Sequence, residues 1–175
     1  MTYNEELHDA LRGAEERFGA RICNNAVPSV VFHDGLPQVF FITAARTEVR
    51  LPLRCEFDYL LACYHLAHEA VHLLSPVRYD EITTLEEGIA VIFARDYLRE
   101  TFQFEFPAPS DRRYAGAFTL AERFLAPRPD AILRLRAQEP SISRITTDLI
   151  QQAYPEVPDS LCFSLVTPFC ALSTD

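Results

Sequence analysis

The sequence predicts an α+β fold, in which an opening helix and a small sheet are followed by several further helices. Apolar residues recur at helical spacing at the start of the chain, and short segments rich in branched and aromatic residues come next. From about residue 56 the helical periodicity returns and continues towards the end. The chain has 175 residues, of which 49% are hydrophobic and 23% charged, as in an ordinary globular domain. We therefore expect one domain over 1–175, with a helix-and-sheet part over about 1–75 and a helical part over about 76–175.

The first helix is expected over 4–18, where apolar residues share one face, and Gly19 is expected to end it. Turn-prone residues then separate short strand-like segments, and Asp34-Gly35 is the clearest hairpin signal among them. Strands that follow one another closely usually pair with their neighbours, so we expect an antiparallel meander. The expected strands are 20–23, 29–33, 38–43 and 47–51.

Two long helices are expected next, over 56–74 and 82–98. The first carries an apolar stripe beside a stripe that contains His65, His68 and His72, so these histidines border a buried face. The second is apolar nearly all round, which predicts that it is mostly buried. After a connection over 102–109 that is rich in aromatic residues and proline, further helices are expected over 112–125, 129–137 and 143–153.

The motif HEAVH at residues 68–72 carries the strongest functional signal. Residues four apart on a helix are roughly 40° apart around its axis, so His68 and His72 can bind one ion while Glu69 points beside it. The chain has five histidines, and a His-Glu-x-x-His pattern arises by composition alone on the order of once in a hundred such chains. The alternative is a helix with two half-exposed histidines and no metal.

A third ligand is required, because a catalytic zinc ion usually has three protein ligands and leaves its fourth position open. The sequence Leu85-Glu86-Glu87-Gly88-Ile89-Ala90 follows the motif closely. Here the chain resembles the gluzincin class of zinc metallopeptidases, whose active-site helix carries HExxH and whose next helix supplies a glutamate within E-x-x-A or E-x-x-x-D. Residues 87–90 fit the first form, and the resemblance covers about residues 56–99.

The resemblance implies a zincin-like fold, a Zn²⁺ cofactor bound by His68, His72 and Glu87, and hydrolysis of peptide bonds. In size and order the chain is most similar to minimal single-domain gluzincins. Only fourteen residues separate His72 from Glu87, which is shorter than the usual gluzincin interval. No Gly-x-Met-Glu-Asn signature is present, so the sequence does not indicate an aminopeptidase.

Glu87 has an alternative role as a helix cap. Thr84 and Glu87 have the spacing of a capping box, and Thr83 and Glu86 offer the same device one residue earlier. A capping glutamate normally stays near solvent. Glu87 instead precedes a glycine and a fully apolar helix, which must pack closely on another element. We expect that element to be the active-site helix. We therefore favour Glu87 as the ligand. Glu86 is the reserve ligand, and it is expected to support the ligands if Glu87 binds the ion.

Given these ligands, Glu69 is the expected general base, which takes a proton from the attacking water and passes it to the leaving amine. A further hydrogen-bond donor is expected for the developing oxyanion. Tyr114 is the first choice because it opens the helix that follows the glutamate helix. The other candidates are Tyr79, Arg78, Arg112 and Arg113. For His65 we prefer a structural position near the sheet over a role in the site.

We expect a zinc-dependent metalloendopeptidase that acts on a peptide or protein substrate. A peptide could align along an exposed strand edge, for which 47–51 and 29–33 are the candidates. The start of the chain has no signal-peptide pattern, so the expected location is the cytoplasm, or outside the cell without a signal peptide.

The rival function is a catalytically silent zincin-fold protein that binds or regulates a partner through a structural or vestigial metal site. A pair of short helices over 129–153 could also be interpreted as a DNA-binding element. The net charge of -9 and the pI near 5.0 oppose binding to nucleic acid or to an anionic membrane.

Overall fold

The computed structural model of the protein describes residues 2–22, 27–43 and 46–172. Within these ranges seven α-helices accompany one three-stranded sheet, which confirms the α+β class. The strands are β1 (Ser29–His33), β2 (Gln38–Thr43) and β3 (Arg46–Pro52), and the helices are α1 (Tyr3–Phe18), α2 (Tyr59–His72), α3 (Thr84–Phe102), α4 (Arg112–Leu125), α5 (Ala131–Arg136), α6 (Thr147–Ala153) and α7 (Asp159–Val166).

The sheet is mixed, so the prediction of an antiparallel meander was wrong. Its strand order is β1-β3-β2, with β1 parallel and β2 antiparallel to β3. The strands β1 and β2 do not pair with each other, although Asp34-Gly35 lies between them. Val49 and Leu51 of β3 are completely buried, whereas β1 and β2 are half-buried or exposed. The most buried strand takes the centre, where the backbone groups on both of its sides are hydrogen-bonded.

This topology corrects two further predictions. Residues 47–51 lie in the central strand and cannot offer a free edge, whereas β1 and β2 are the edge strands. Residues 20–22 are not a strand; instead the amide of Ile22 donates to the carbonyl of Leu74 at the end of α2, at 2.8 Å. Cys23, which was included in that predicted strand, lies outside the described residues.

The helix ends follow local capping chemistry. Helix α1 begins after Thr2, whose side chain accepts the amide of Glu5, and it ends at Gly19, whose φ of 94° is a conformation that favours glycine. Helix α2 begins three residues later than predicted because Leu53–Glu56 forms a 3₁₀ turn and Asp58 is the N-cap. The short helix α7 was not predicted.

Two buried polar contacts hold α1 against the helical part. Glu6 is fully buried and accepts hydrogen bonds from Tyr59 in α2, at 2.8 Å, and from Tyr97 in α3, at 2.6 Å. Arg136 donates to three consecutive carbonyls at the end of α1, those of Phe18, Gly19 and Ala20. Both contacts satisfy polar groups that would otherwise be buried without partners. They hold α1 in contact with the helical part, which contains α2 and α3, the two helices that form the candidate site.

Helix α2 lies at the centre of the molecule, between α1 and α3, and α3 packs in turn against α4. Gly88 marks the close approach of the last two helices, because a Cβ atom there would collide with the carbonyl of Ala117 and the side chain of Ala121. The expected partner of Gly88 was the active-site helix, and the structure shows α4 instead. None of the helices in the described ranges has the length and hydrophobicity needed to cross a membrane.

Candidate metal centre

Helices α2 and α3 bring the candidate site residues together. The C-terminal half of α2 carries His68, Glu69 and His72, and the first turn of α3 carries Glu86 and Glu87. All five side chains are buried, with exposed fractions between 0% and 7%. Charged groups rarely occupy such positions unless they pair with one another or bind a metal. The cluster is therefore a candidate functional site on burial alone.

The nitrogen atoms of His68 and His72 and the carboxylate of Glu87 have the separations of metal ligands. The two Nε2 atoms are 3.3 Å apart, and Glu87 places Oε2 at 3.2 Å from His68 and Oε1 at 3.9 Å from His72. Ligand atoms at about 2.0–2.1 Å from a tetrahedral zinc ion are about 3.3–3.4 Å from one another. Among the described residues, His68, His72 and Glu87 are the group that meets the distance requirement for a shared ion.

One carboxylate oxygen of this group also lacks a hydrogen bond. Glu87 Oε2 is buried and makes no hydrogen bond of acceptable geometry within the described ranges. A buried carboxylate oxygen without a partner is costly, and a cation between it and the two imidazoles would remove that cost. Two imidazoles and a carboxylate are a usual ligand set for zinc. The residues present therefore fit a zinc ion.

Glu86 supports His72 from the side opposite to this group. Its Oε1 accepts a hydrogen bond from His72 Nδ1 at 2.8 Å, and its Oε2 accepts one from the hydroxyl of Ser143. A proton held on Nδ1 leaves the lone pair of Nε2 free for an ion, and the carboxylate makes that nitrogen more basic. Glu86 is thus placed to orient a ligand, and Ser143 in turn orients Glu86.

The helix-cap interpretation of Glu87 does not hold in the structure. The N-cap of α3 is Thr83, whose hydroxyl accepts the amide of Glu86, while Thr84 donates to the carbonyl of Thr167. Glu86 occupies the third helical position, but its side chain does not accept a hydrogen bond from the amide of Thr83. That amide donates to the hydroxyl of Ser143 instead. Neither glutamate completes a capping box, and both point into the buried cluster.

The charges of the cluster shift the pKa values of its members in different directions. Burial alone would lower the pKa of His72, but the hydrogen bond to Glu86 and the charges of Glu87, Glu86 and Glu69 raise it to about 10. Burial raises the pKa of Glu69, and the charges of His72 and His68 offset this only in part. For Glu87 the effect of burial is outweighed by His68 and His72, so its pKa is lowered. Glu87 is therefore held as a carboxylate, while Glu69 has a raised pKa, as a general base requires.

Tyr114 lies next to the buried cluster that α2 and α3 form. Its ring centroid is 6.1 Å from that of His68 and 4.8 Å from that of Phe169. Burial, followed by the charges of Glu87 and Glu69, raises the pKa of Tyr114 above its usual value, so its hydroxyl remains a proton donor.

The other candidates for the oxyanion donor lie farther from the cluster or are more exposed. Tyr79 lines a cavity beside the cluster, and its side chain is 58% exposed. Arg78 and Arg112 are exposed and line neither of the cavities beside the cluster.

Two neighbouring cavities border the candidate ligands. The smaller, of about 300 Å³, is lined by His72 and Glu87 and by apolar residues of β2 and of 76–82. The larger, of about 530 Å³, is lined by His68 and by residues 106–111. Glu69, Tyr79 and Tyr114 line both cavities, so these residues lie where the cavities meet.

The strand edge in this cleft belongs to β2, and not to the candidates 47–51 and 29–33. Val39, Phe40 and Phe41 line the smaller cavity, and the backbone amide of Val39 hydrogen-bonds to the carboxylate of Glu69. Sequence reasoning missed this contact because it follows from the position of β2 at the edge of the sheet. It also missed Ser143, which lies far along the chain from Glu86 and carries no motif of its own.

His65 lines the larger cavity and does not contact the candidate ligand atoms. Burial, with the charges of His68 and Arg54, lowers its pKa to about 3, so the imidazole is neutral. Its Nε2 atom is buried and has no hydrogen-bond partner in the part of the chain that the structure describes. Of the other histidines, His8 is exposed and His33 contacts the carbonyl of Leu36, both away from the cluster.

Comparisons with known proteins returned no match, whether to a protein-family model, to a curated protein or to a solved structure. The functional argument therefore depends on the residues and geometry of the chain itself.

Proposed function

We propose that this chain is a zinc-dependent metallopeptidase of gluzincin type that acts on a peptide or protein substrate. His68, His72 and Glu87 hold the ion, and Glu69 is the general base. The observation that carries the proposal is the convergence of these three ligands from two helices at metal-ligand distances, with the carboxylate of Glu69 buried beside them. An ion held only for stability would not require a buried carboxylate with a raised pKa next to its ligands.

A zinc ion at this position would lower the pKa of a water molecule towards 7 and polarise the substrate carbonyl. Glu69 accepts the proton of the attacking water and transfers it to the leaving amine. The backbone amide of Val39 favours the charged form of the Glu69 carboxylate, the form that accepts a proton. The hydroxyl of Tyr114 donates a hydrogen bond to the oxyanion that develops on the carbonyl oxygen.

The cleft favours cleavage within a chain over removal of a terminal residue. One cavity is lined by His72 and Glu87 and the other by His68, and the two share the lining residues Glu69, Tyr79 and Tyr114. A peptide that crosses the cleft could therefore extend in both directions from the scissile bond. The free edge of β2 supplies backbone groups with which an extended peptide could pair.

Metal content and peptide cleavage together test the proposal. Purified wild type should bind one zinc ion per chain, and the variants His72→Ala and Glu87→Gln should lose most of it. The variant Glu69→Gln should retain zinc and lose cleavage of a quenched fluorescent peptide library, because it removes only the base.

Zinc content that is unchanged in Glu87→Gln would remove Glu87 from the ligand set. If the zinc-loaded wild type cleaves no peptide in the library, proteolysis is excluded and a silent binding or regulatory protein becomes the better interpretation.

A further inference from the structure

The larger cavity beside the metal centre has basic residues that the proposed chemistry does not use. Its lining includes two arginines, Arg54 and Arg113, and two acidic residues, Glu69 and Asp111. Glu69 belongs to the metal centre, so Asp111 is the remaining acid that could balance the arginines. The smaller cavity has no arginine in its lining. Among the described residues, arginine side chains therefore line the larger of the two cavities and not the smaller one.

Asp111 forms an ion pair with Arg113 but leaves the Nε of its guanidinium without a hydrogen bond. Its Oδ1 accepts the backbone amide of Arg113 at 2.8 Å and so caps α4. The same oxygen is 3.7 Å from Nε of Arg113, which is too long for a hydrogen bond. This Nε is buried and has no hydrogen-bond partner among the described residues. The guanidinium can therefore still bind another anion.

Arg54 has no acidic partner in the described ranges of the chain. It follows β3 in the 3₁₀ turn Leu53–Glu56 and is exposed. Arg54 lines the larger cavity together with Arg113 and the neutral His65. These residues contribute two positive charges and further N–H donors to the lining of this cavity.

We propose that this cavity binds a carboxylate group of the peptide substrate, so that cleavage is favoured when an acidic group lies on the corresponding side of the scissile bond. This inference rests on the proposed peptidase function. A guanidinium presents N–H groups in a planar fork that matches both oxygens of a carboxylate. A lysine or arginine of the substrate would be repelled from the same wall. The carboxylate comes either from an aspartate or glutamate side chain or from the C-terminus of a substrate.

Cleavage of matched peptides tests the preference. Starting from a peptide that the wild type cleaves, pairs are made with glutamate or glutamine at each position near the cleavage site, and each with a free or amidated C-terminus. At one position, or at the C-terminus, the charged form should give a kcat/KM roughly tenfold higher, the ratio that a hydrogen bond to a charged group supplies. The position identifies a side-chain source, and the amidated peptides identify a C-terminal source.

Arg54→Gln should abolish this ratio by lowering kcat/KM for the charged peptide to that of the uncharged one. Arg123→Gln is the matched control, since Arg123 is exposed on α4 and does not line the cavity. It removes the same charge from the protein and should leave the ratio intact. Equal cleavage of charged and uncharged peptides by the wild type would overturn the inference and leave the peptidase function standing.

A binding measurement decides the case in which no peptide is cleaved. Zinc-loaded Glu69→Gln is titrated with acetylated peptides that contain glutamate or glutamine, and the double variant with Arg54→Gln is titrated in parallel by calorimetry. Tighter binding of the glutamate peptide that depends on Arg54 supports the carboxylate site even if proteolysis fails. Equal binding of both peptides, or no binding of either, overturns the carboxylate site.

Discussion

At the scale of single residues, we expect the contact between Glu86 and His72 to determine how tightly the proposed centre binds a metal. Glu86 binds His72 Nδ1 at 2.8 Å and also receives the hydroxyl of Ser143, so its position is fixed at both oxygens. We expect Glu86→Gln to keep the shape of this arrangement but to weaken zinc binding by about 10–100-fold, because a neutral amide makes the imidazole less basic.

Competition with a chromogenic chelator measures this change. Glu16→Gln removes a charge from an exposed position on α1 and should leave the affinity for zinc unaltered. An affinity in Glu86→Gln equal to that of the wild type would show that Glu86 does not tune the ligand.

The raised pKa of His72 makes zinc binding depend on pH. In the ion-free protein His72 has a pKa of about 10, compared with an ordinary value near 6.5, so its imidazole is protonated at pH 7. A metal must displace that proton, so the affinity for zinc should rise by about tenfold for each pH unit between pH 6.5 and 8.5.

The measurement is a series of chelator competitions, corrected for the protonation of the chelator itself. The rise should level off at lower pH in Glu86→Gln, since the hydrogen bond and charge of Glu86 help to raise the pKa of His72. An affinity that does not change between pH 6.5 and 8.5 would contradict protonation of His72.

The residue types of the centre and the proximity of its two histidines could be predicted, but the contacts of its glutamates could not. The helical spacing of His68 and His72 places both imidazoles on one side of α2, so the motif alone predicts their proximity. Glu86 and Glu87 are adjacent in the sequence, and either could face the histidines. Which of them does so depends on the start of α3 at Thr83 and on its packing, and neither is fixed by local sequence.

At the scale of elements, the contact between α3 and α4 positions Glu87. Gly88 follows Glu87 and lies against Ala117 and Ala121, where a side chain would collide with backbone. We expect Gly88→Ala to reduce the free energy of unfolding by about 1–3 kcal/mol, as other cases of overpacking do. The shift of α3 should also weaken zinc binding, because Glu87 moves with the helix.

Gly116→Ala on α4 is the matched control, since a Cβ atom there meets nothing within 4 Å. That variant should gain about 0.5–1 kcal/mol, because alanine favours a helix over glycine. Urea denaturation compares both variants with the wild type. An equal gain in Gly88→Ala would show that α3 and α4 are not in close contact.

The elements differ in how far local sequence determines them. Periodicity predicts α1 and α4 almost to the residue, because each has a polar face and an apolar face. The order of the strands follows instead from tertiary burial, since β3 at the centre carries the fully buried Val49 and Leu51. Polar and apolar residues do not alternate clearly along β3, so its central position in the sheet cannot be predicted from the sequence pattern.

At the scale of the whole molecule, a metal would balance a concentration of buried charge. Three buried glutamates, Glu69, Glu86 and Glu87, surround two imidazoles, and α1, α3 and the sheet pack against the helix that carries these imidazoles. The overall α+β class can be predicted from the order of the periodic segments. The hydrogen bond from Ser143 to Glu86 cannot, because it joins residues that are far apart in the sequence.

Zinc should therefore stabilise the fold as well as complete the site. A ligand that binds only the native state stabilises it by about 4 kcal/mol at a free concentration a thousand times its Kd. We expect zinc to raise the Tm of the wild type, with no comparable shift in His72→Ala. Glu69→Gln should respond as the wild type does, because it keeps all three ligands.

Hydrogen exchange adds a spatial test of the same prediction. Protection should increase most in the C-terminal half of α2 and the first turn of α3, because zinc would join these segments directly. Zinc that raised the Tm equally in wild type and His72→Ala would have to bind elsewhere. Under that result the buried charges of α2 and α3 would be balanced by protonation of His72, and the candidate centre would not be the site through which metal stabilises this molecule.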